Sequence, residues 1–306
     1  MGRKSRQTGM QKLARIAIPL FLVIIMLASA MYYCVNSKNF TGGNNSTPTV
    51  QFNSIVDGVK IAPNGADYIR YIDLNASPEV RNWAMSNLSN SLPNPDTFGA
   101  QPRKDMFVDY PMGYFGSYND QWVMVTDFGS DFQNMNYSET TYQGVTLETI
   151  DDNYYTFSQT WPVISGPAQN VAGMVNFMKG GIGRNTSYDD YSDLFDQLKG
   201  YPINANQACM ATVGTSSAFN DSDRYYAGIT PSGDNFTYQA VLHMNRTLTD
   251  EEKATYKSRL EKAGIYSALF NSYQIQFQGD YMVLQATGNW TTCVSDMQNS
   301  WKFLKA

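Results

Sequence analysis

Residues 273–286 read YQIQFQGDYMVLQA, two runs of strand-forming residues either side of Gln278-Gly279-Asp280, and this spacing predicts a tight hairpin. Just upstream, Thr249-Asp250-Glu251-Glu252 is a capping box that opens a helix closed by Gly264. Further strands are expected over residues 208–213, 225–229 and 237–244. A last helix is expected over 291–304, with Val294, Met297, Trp301 and Leu304 inward.

The first half repeats this alternation. Residues 66–74 (ADYIRYIDL) read as a strand, and Ser77-Pro78 then supplies an N-cap and a first-turn proline for a helix carrying Val80, Trp83, Ala84 and Leu88 on one face. Strands follow over 106–109, 122–126, 142–149, 154–158 and 161–164, punctuated by Gly, Asp and Asn turns. Pro167 opens a helix whose Val171, Met174, Val175 and Met178 recur at helical spacing up to Gly180-Gly181. Ser187 with Asp190 caps another that carries Tyr191, Leu194, Phe195 and Leu198. Antiparallel strand groups with interspersed helices give the class α+β. The expected domain is one of antiparallel sheet or sheets with about five packed helices, over residues 50–306, with a candidate division near 200–206.

The N-terminus adds a topology. Residues 1–15 carry Arg3, Lys4, Arg6, Lys12 and Arg15 without an acid and form a cytoplasmic basic segment, and residues 16–35 (IAIPLFLVIIMLASAMYYCV) follow as an unbroken apolar run. Twenty residues at roughly 1.5 Å each span the roughly 30 Å hydrocarbon layer, so Ile16 to Val35 are expected to contact the lipid bilayer as a single-pass transmembrane helix. The cations place the N-terminus in the cytoplasm and the bulk of the chain outside it, at the cell membrane. Ala28-Ser29-Ala30 also fits a cleaved signal peptide, and both readings export the domain. Residues 36–49, rich in Gly, Asn, Ser and Thr, read as a flexible polar stalk.

Eleven Asn-x-Ser/Thr sequons, all after the apolar run, predict N-glycosylation: Asn39, Asn44, Asn45, Asn75, Asn87, Asn136, Asn185, Asn220, Asn235, Asn245 and Asn289. Without the five N-terminal cations the chain has 17 basic against 27 acidic residues, a balance that argues against a nucleic-acid partner. Of the three cysteines Cys34 belongs to the apolar run, so Cys209 and Cys293 are the natural disulfide pair in an exported domain; two buried thiols is the other reading.

Motifs for chemistry are sparse. His243 is the single histidine, sharing a strand face with Gln239 and Val241, which excludes HExxH and multi-histidine zinc sites. No G-x-S-x-G elbow accompanies it. Gly180-Gly181-Ile182-Gly183-Arg184 fits no nucleotide-binding fingerprint and reads as a helix end and turn. Asp189, Asp190, Asp193 and Asp196 read as helix-capping and surface carboxylates, and Asn220-Asp221-Ser222-Asp223 and Asp151-Asp152-Asn153 as turns. No catalytic, cofactor-binding or metal-ligating residue is therefore expected.

The order of Val125-Thr126-Asp127-Phe128, Tyr142-Gln143-Gly144-Val145, Trp161-Pro162-Val163-Ile164-Ser165-Gly166 and the helix pair after it resembles uncharacterised membrane-anchored ectodomains of archaeal and bacterial cell envelopes. The resemblance covers about a quarter of the chain and implies an exported α+β domain without assigned chemistry. The expected function is a structural or protein-interaction role in the envelope or a membrane complex, with other envelope or membrane proteins as partners. The alternatives are an extracytoplasmic binding module for a small molecule or glycan, and a carboxylate-dependent hydrolase.

Overall fold

The structure is a computed structural model that describes residues 49–88, 102–111, 115, 120–128, 137–150, 153–180, 185–215, 221–262 and 267–299. Twelve strands form one sheet: β1 (Tyr68–Asp73), β2 (Lys104–Asp109), β3 (Trp122–Asp127), β4 (Ser138–Tyr142), β5 (Val145–Ile150), β6 (Asn153–Tyr155), β7 (Val163–Gly166), β8 (Met210–Thr215), β9 (Ser222–Ser232), β10 (Asn235–Met244), β11 (Ser272–Gln278) and β12 (Tyr281–Gly288). Six helices accompany them among the described residues: α1 (Ile55–Ile61), α2 (Pro78–Asn87), α3 (Ala168–Lys179), α4 (Ser187–Asp196), α5 (Asp250–Lys262) and α6 (Trp290–Asn299). The strand order is β11-β12-β10-β9-β8-β1-β2-β3-β7-β6-β5-β4, and every pairing is antiparallel.

This corrects the expected α+β architecture of a transmembrane helix followed by a domain with about five helices. Among the described residues no helix is long and apolar enough to cross a membrane; the longest, α5, has 13 residues and is strongly polar. The helix expected over residues 16–35 lies outside the described residues, and the architecture observed is a single antiparallel sheet with helices packed on it.

Alternation along the strands sends two sets of side chains to opposite faces. On one face Ile69, Tyr71, Val108, Val125, Leu147 and Val213 pack with Ile55 and Val59 of α1, Val171, Met174 and Val175 of α3, and Tyr191 and Leu194 of α4. On the other, Ile72, Met210, Ile229, Tyr238, Leu242 and Leu284 pack with Val80 and Ala84 of α2 and with Cys293, Val294 and Met297 of α6. Each fully buried large apolar side chain contributes about 1.5–3 kcal/mol.

Local chemistry sets the ends of the helices. Ser77 accepts from Val80 N–H at 3.3 Å and Pro78 starts α2. Thr249 and Glu252 cap α5 reciprocally, at 2.8 and 3.3 Å. For α4 the cap lies one residue earlier than the sequence predicts, with Thr186 as N-cap and Asp189 reaching back to Thr186 N–H at 3.1 Å. The single strand expected over 142–149 is instead the β4–β5 hairpin, because Gln143 (φ 50°) and Gly144 (φ 78°) make a two-residue left-handed turn.

The Cys209–Cys293 disulfide is also corrected. Both are free buried thiols, and each turns its S–H to a main-chain carbonyl, Cys209 to Ile229 at 3.2 Å and Cys293 to Phe236 at 3.7 Å. Burial pushes both thiols up to about 12, which leaves them as small apolar groups without thiolate character.

Gly214 of β8 faces Tyr68 of β1, and a Cβ there would lie 2.9 Å from the Asp67 carbonyl and 3.1 Å from the Tyr225 ring. Gly214→Ala should therefore cost about 1–3 kcal/mol, read as a lower urea midpoint with unchanged m-value. Gly200→Ala, where a Cβ meets nothing within 4 Å, is the control and should leave the midpoint close to that of the parent.

Candidate functional site: the charged end of the β9–β10 hairpin

The polar side chains that the structure gathers lie where β9 begins and β10 ends. The register there shifts between His243 and Met244: Arg224 faces His243, Ser222 faces Met244, and Asp223 is left over as a bulge. The extra residue brings the Asp223 carboxylate to His243, with Nδ1 and Oδ1 2.7 Å apart, while Arg224 turns to α4.

Arg224 grips Asp193 of α4 with two bonds of 2.9 Å and donates also to the Asp190 carbonyl. Tyr281 of β12 donates to the same Asp193 carboxylate at 2.7 Å, and burial together with that negative charge pushes its phenol up to about 12. Asp190 accepts from Gly65 N–H at 3.0 Å. Two of the four aspartates read from the sequence as helix-capping and surface groups thus tie α4 to the sheet and to the loop before β1. Asp189 caps the helix as predicted, and Asp196 pairs with Lys199 at 2.8 Å.

On the other side of the bulge Arg246 lies between two carboxylates. Its Nε donates to Asp221 at 2.8 Å, and its Nη2 and Nη1 donate to Glu252 at 2.7 and 3.1 Å. Tyr256 donates to the second Asp221 oxygen at 2.5 Å. These groups, with Glu251, Thr255 and Arg259 of α5, line a cleft of about 300 Å³. Arg246 holds Glu252 down to about 2, and Tyr256 and Arg246 together hold Asp221 below the usual carboxylate range. Both acids are thus unprotonated near neutral pH, the wrong state for a general acid, and both are already paired. The cleft has one tyrosine and no tryptophan in its wall, so it lacks the stacked aromatic surface a sugar-binding pocket uses. Its chemistry is that of an ion-pair clasp fastening α5 to the strand ends.

The glycan acceptors lie elsewhere. Asn75, Asn87, Asn185, Asn245 and Asn289 are exposed and Asn235 is half-buried at the β9–β10 turn, while Asn39, Asn44, Asn45, Asn136 and Asn220 lie outside the described residues. Asn289 also caps α6 by accepting from Thr292 N–H at 2.9 Å, and Asn87 donates to the Trp83 carbonyl at 2.8 Å. His243 shares its face with Gln239 and Val241 as the alternation predicts, and its carboxylate partner was hidden in a segment that reads as a turn. Among the described residues no cluster of three or more His, Cys, Asp or Glu could hold a metal ion.

No protein-family model matches the chain, and no curated protein matches its sequence. Among solved structures it is similar to crystal form I of TP0453, with 11% identity and a TM-score of 0.47 over 79% of this chain and 96% of that one. Crystal form III gives 11% and 0.46 over 79% and 97%, and form IV gives 9% and 0.41 over 81% and 96%. At these scores the likeness carries no argument about this chain.

Buried carboxylates lie on the sheet away from this end. Asp105 of β2 is 1% exposed; it accepts from Thr126 at 3.0 Å, and its second oxygen has no hydrogen-bond partner. Burial pushes it up to about 6, against the opposing pull of Thr126 and Arg70. Because the folded pKa is raised, the native state holds the proton more tightly than the unfolded chain. That stabilisation is complete below about pH 3.8 and is lost as pH rises through about 6, a difference of up to about 3 kcal/mol. Asp105→Asn removes the titration. Its melting temperature should match that of the parent at pH 3.5 and exceed it at pH 7.5, and parallel pH profiles for the two proteins would contradict the assignment.

Proposed function

We propose that the chain is an N-glycosylated protein held outside the cytoplasm, with a structural or protein-interaction role in the cell envelope and other envelope proteins as its partners. The observation that carries this reading is the placement of the sequons. Each described acceptor asparagine reaches solvent, and they sit at a turn after β1, at the last turn of α2, at the starts of α4 and α6, and at both ends of β10. A glycan attached at Nδ2 leaves one N–H and the side-chain oxygen in place, so the Asn87 bond and the Asn289 cap both survive modification.

The basic and apolar N-terminal segment supports export, and the excess of acid over base after it supports a surface that avoids polyanions. A protein-interaction role is preferred over hydrolysis because the acids in the α5 cleft are engaged with Arg246 and held low in pKa. At that cleft it is preferred over glycan binding because the wall is charged. Mass spectrometry of the chain purified from its own cells should find glycan on peptides containing Asn75, Asn185, Asn245 or Asn289. Protease added to intact cells should digest it. Bare asparagines at every sequon, with full protection from protease, would overturn the proposal.

A further inference from the structure

The two edges of the sheet are built differently. At one edge, β11 is covered: Glu261 of α5 accepts from the outward Ile275 N–H at 2.9 Å, which blocks a further strand. At the other edge, among the described residues, β4 pairs only with β5, in an unbroken register from Ser138↔Thr149 to Tyr142↔Val145. In a two-residue hairpin the closing pair is hydrogen-bonded, so Ser138, Thr140 and Tyr142 face β5, and Glu139 and Thr141 turn their N–H and C=O groups outward. Residues 138–141 are exposed, and apart from the single charge of Glu139 the strand holds no proline, lysine or bulge of the kind that protects natural edges.

We propose that β4 pairs antiparallel with β4 of a second copy of this chain, about a twofold axis at Thr140. The strand is self-complementary in that register. Glu139 lies opposite Thr141 of the second copy in both directions, the outward main-chain groups of each strand are satisfied, and the two Thr140 side chains meet in the close, non-hydrogen-bonded position. An axis at Glu139 would set two carboxylates against each other, and an axis at Thr141 would run the pairing into the Gln143-Gly144 turn. A closed twofold contact uses up both open edges and cannot propagate into a fibre, because β11 is covered. This inference does not depend on export, but it needs the sequon at Asn136, whose Ser138 opens β4, to be free of glycan.

Sedimentation velocity of the full chain tests it. The parent protein should pass from monomer to dimer as concentration rises through the micromolar range or above, as a small contact implies. Thr141→Pro removes an N–H that faces away from β5, so it should leave the melting temperature near that of the parent and abolish the dimer. Thr141→Lys places two lysines opposite Glu139 and should tighten association by about 2- to 30-fold, and Thr141→Glu should weaken it by a similar factor. Under mild oxidation T140C in a Cys34→Ser background should give a disulfide-linked dimer that Cys34→Ser alone does not, since Cys209 and Cys293 are buried. A parent protein that stays monomeric, equal shifts for T141K and T141E, or capture of a different protein's strand by β4 would each overturn the proposal.

Discussion

The β1–β8 ladder is the constraint on which the sheet depends. The other strand pairs join residues at most 52 apart, as in Phe236↔Gly288, whereas Ile72↔Met210 and Tyr68↔Gly214 bring together segments well over a hundred residues apart. Without that seam there would be two separate antiparallel groups, one made of β1 to β7 and one of β8 to β12. Its alternation serves both cores at once. Ile69, Tyr71, Ala211 and Val213 belong to the face under α1, α3 and α4, and Ile72 and Met210 to the face under α2 and α6. The flanking bonds Asp73 N–H to Cys209 O and Thr215 N–H to Asp67 O, at 2.7 and 2.9 Å, extend the seam beyond both strand ends. Closing so long a loop costs chain entropy, so a seam this distant in sequence slows folding relative to the local pairings.

The charged end of β9–β10 acts on register more than on stability. Exposed ion pairs are individually weak, and Arg246, Glu252 and Asp221 lie near solvent. The charged groups here join the strand ends to helices: Arg224 and Tyr281 both to Asp193 of α4, and Arg246 to Glu252 of α5. The bulge at Asp223 makes this arrangement possible by letting neighbouring residues of one strand address different partners.

Local chemistry was legible in the sequence, and long-range juxtaposition was not. The stripe Val171, Met174, Val175 and Met178 is buried in α3, and the Thr249 capping box opens α5 where the pattern places it. Helix α1 escaped notice because five of its seven residues are buried, which erases the polar face that makes a helix readable. The β4–β5 turn escaped because Gln143-Gly144 sits inside an alternating run and only the backbone angles mark it. The clasp could not be seen because Asp221, Arg246 and Tyr256 are joined across a bulged hairpin and a loop, a geometry that carries no fixed spacing. Counting cysteines implied a bridge, but counting carries no information about direction, and each thiol is turned to a strand carbonyl.

Asp105 shows the same division between stability and specificity inside the sheet. A carboxylate with one bonded oxygen and one bare oxygen, 1% exposed, is a net cost near neutral pH, and an apolar residue there would pack at least as well. Yet Asp105 faces Thr126 across the β2–β3 ladder and sits within the field of Arg70 on β1. A one-residue slip of β3 would carry Thr126 to the opposite face and leave the carboxylate with no donor at all. The mismatched register is thus penalised more heavily than the native one, and a buried acid that weakens the fold also narrows the set of folds the sheet can adopt.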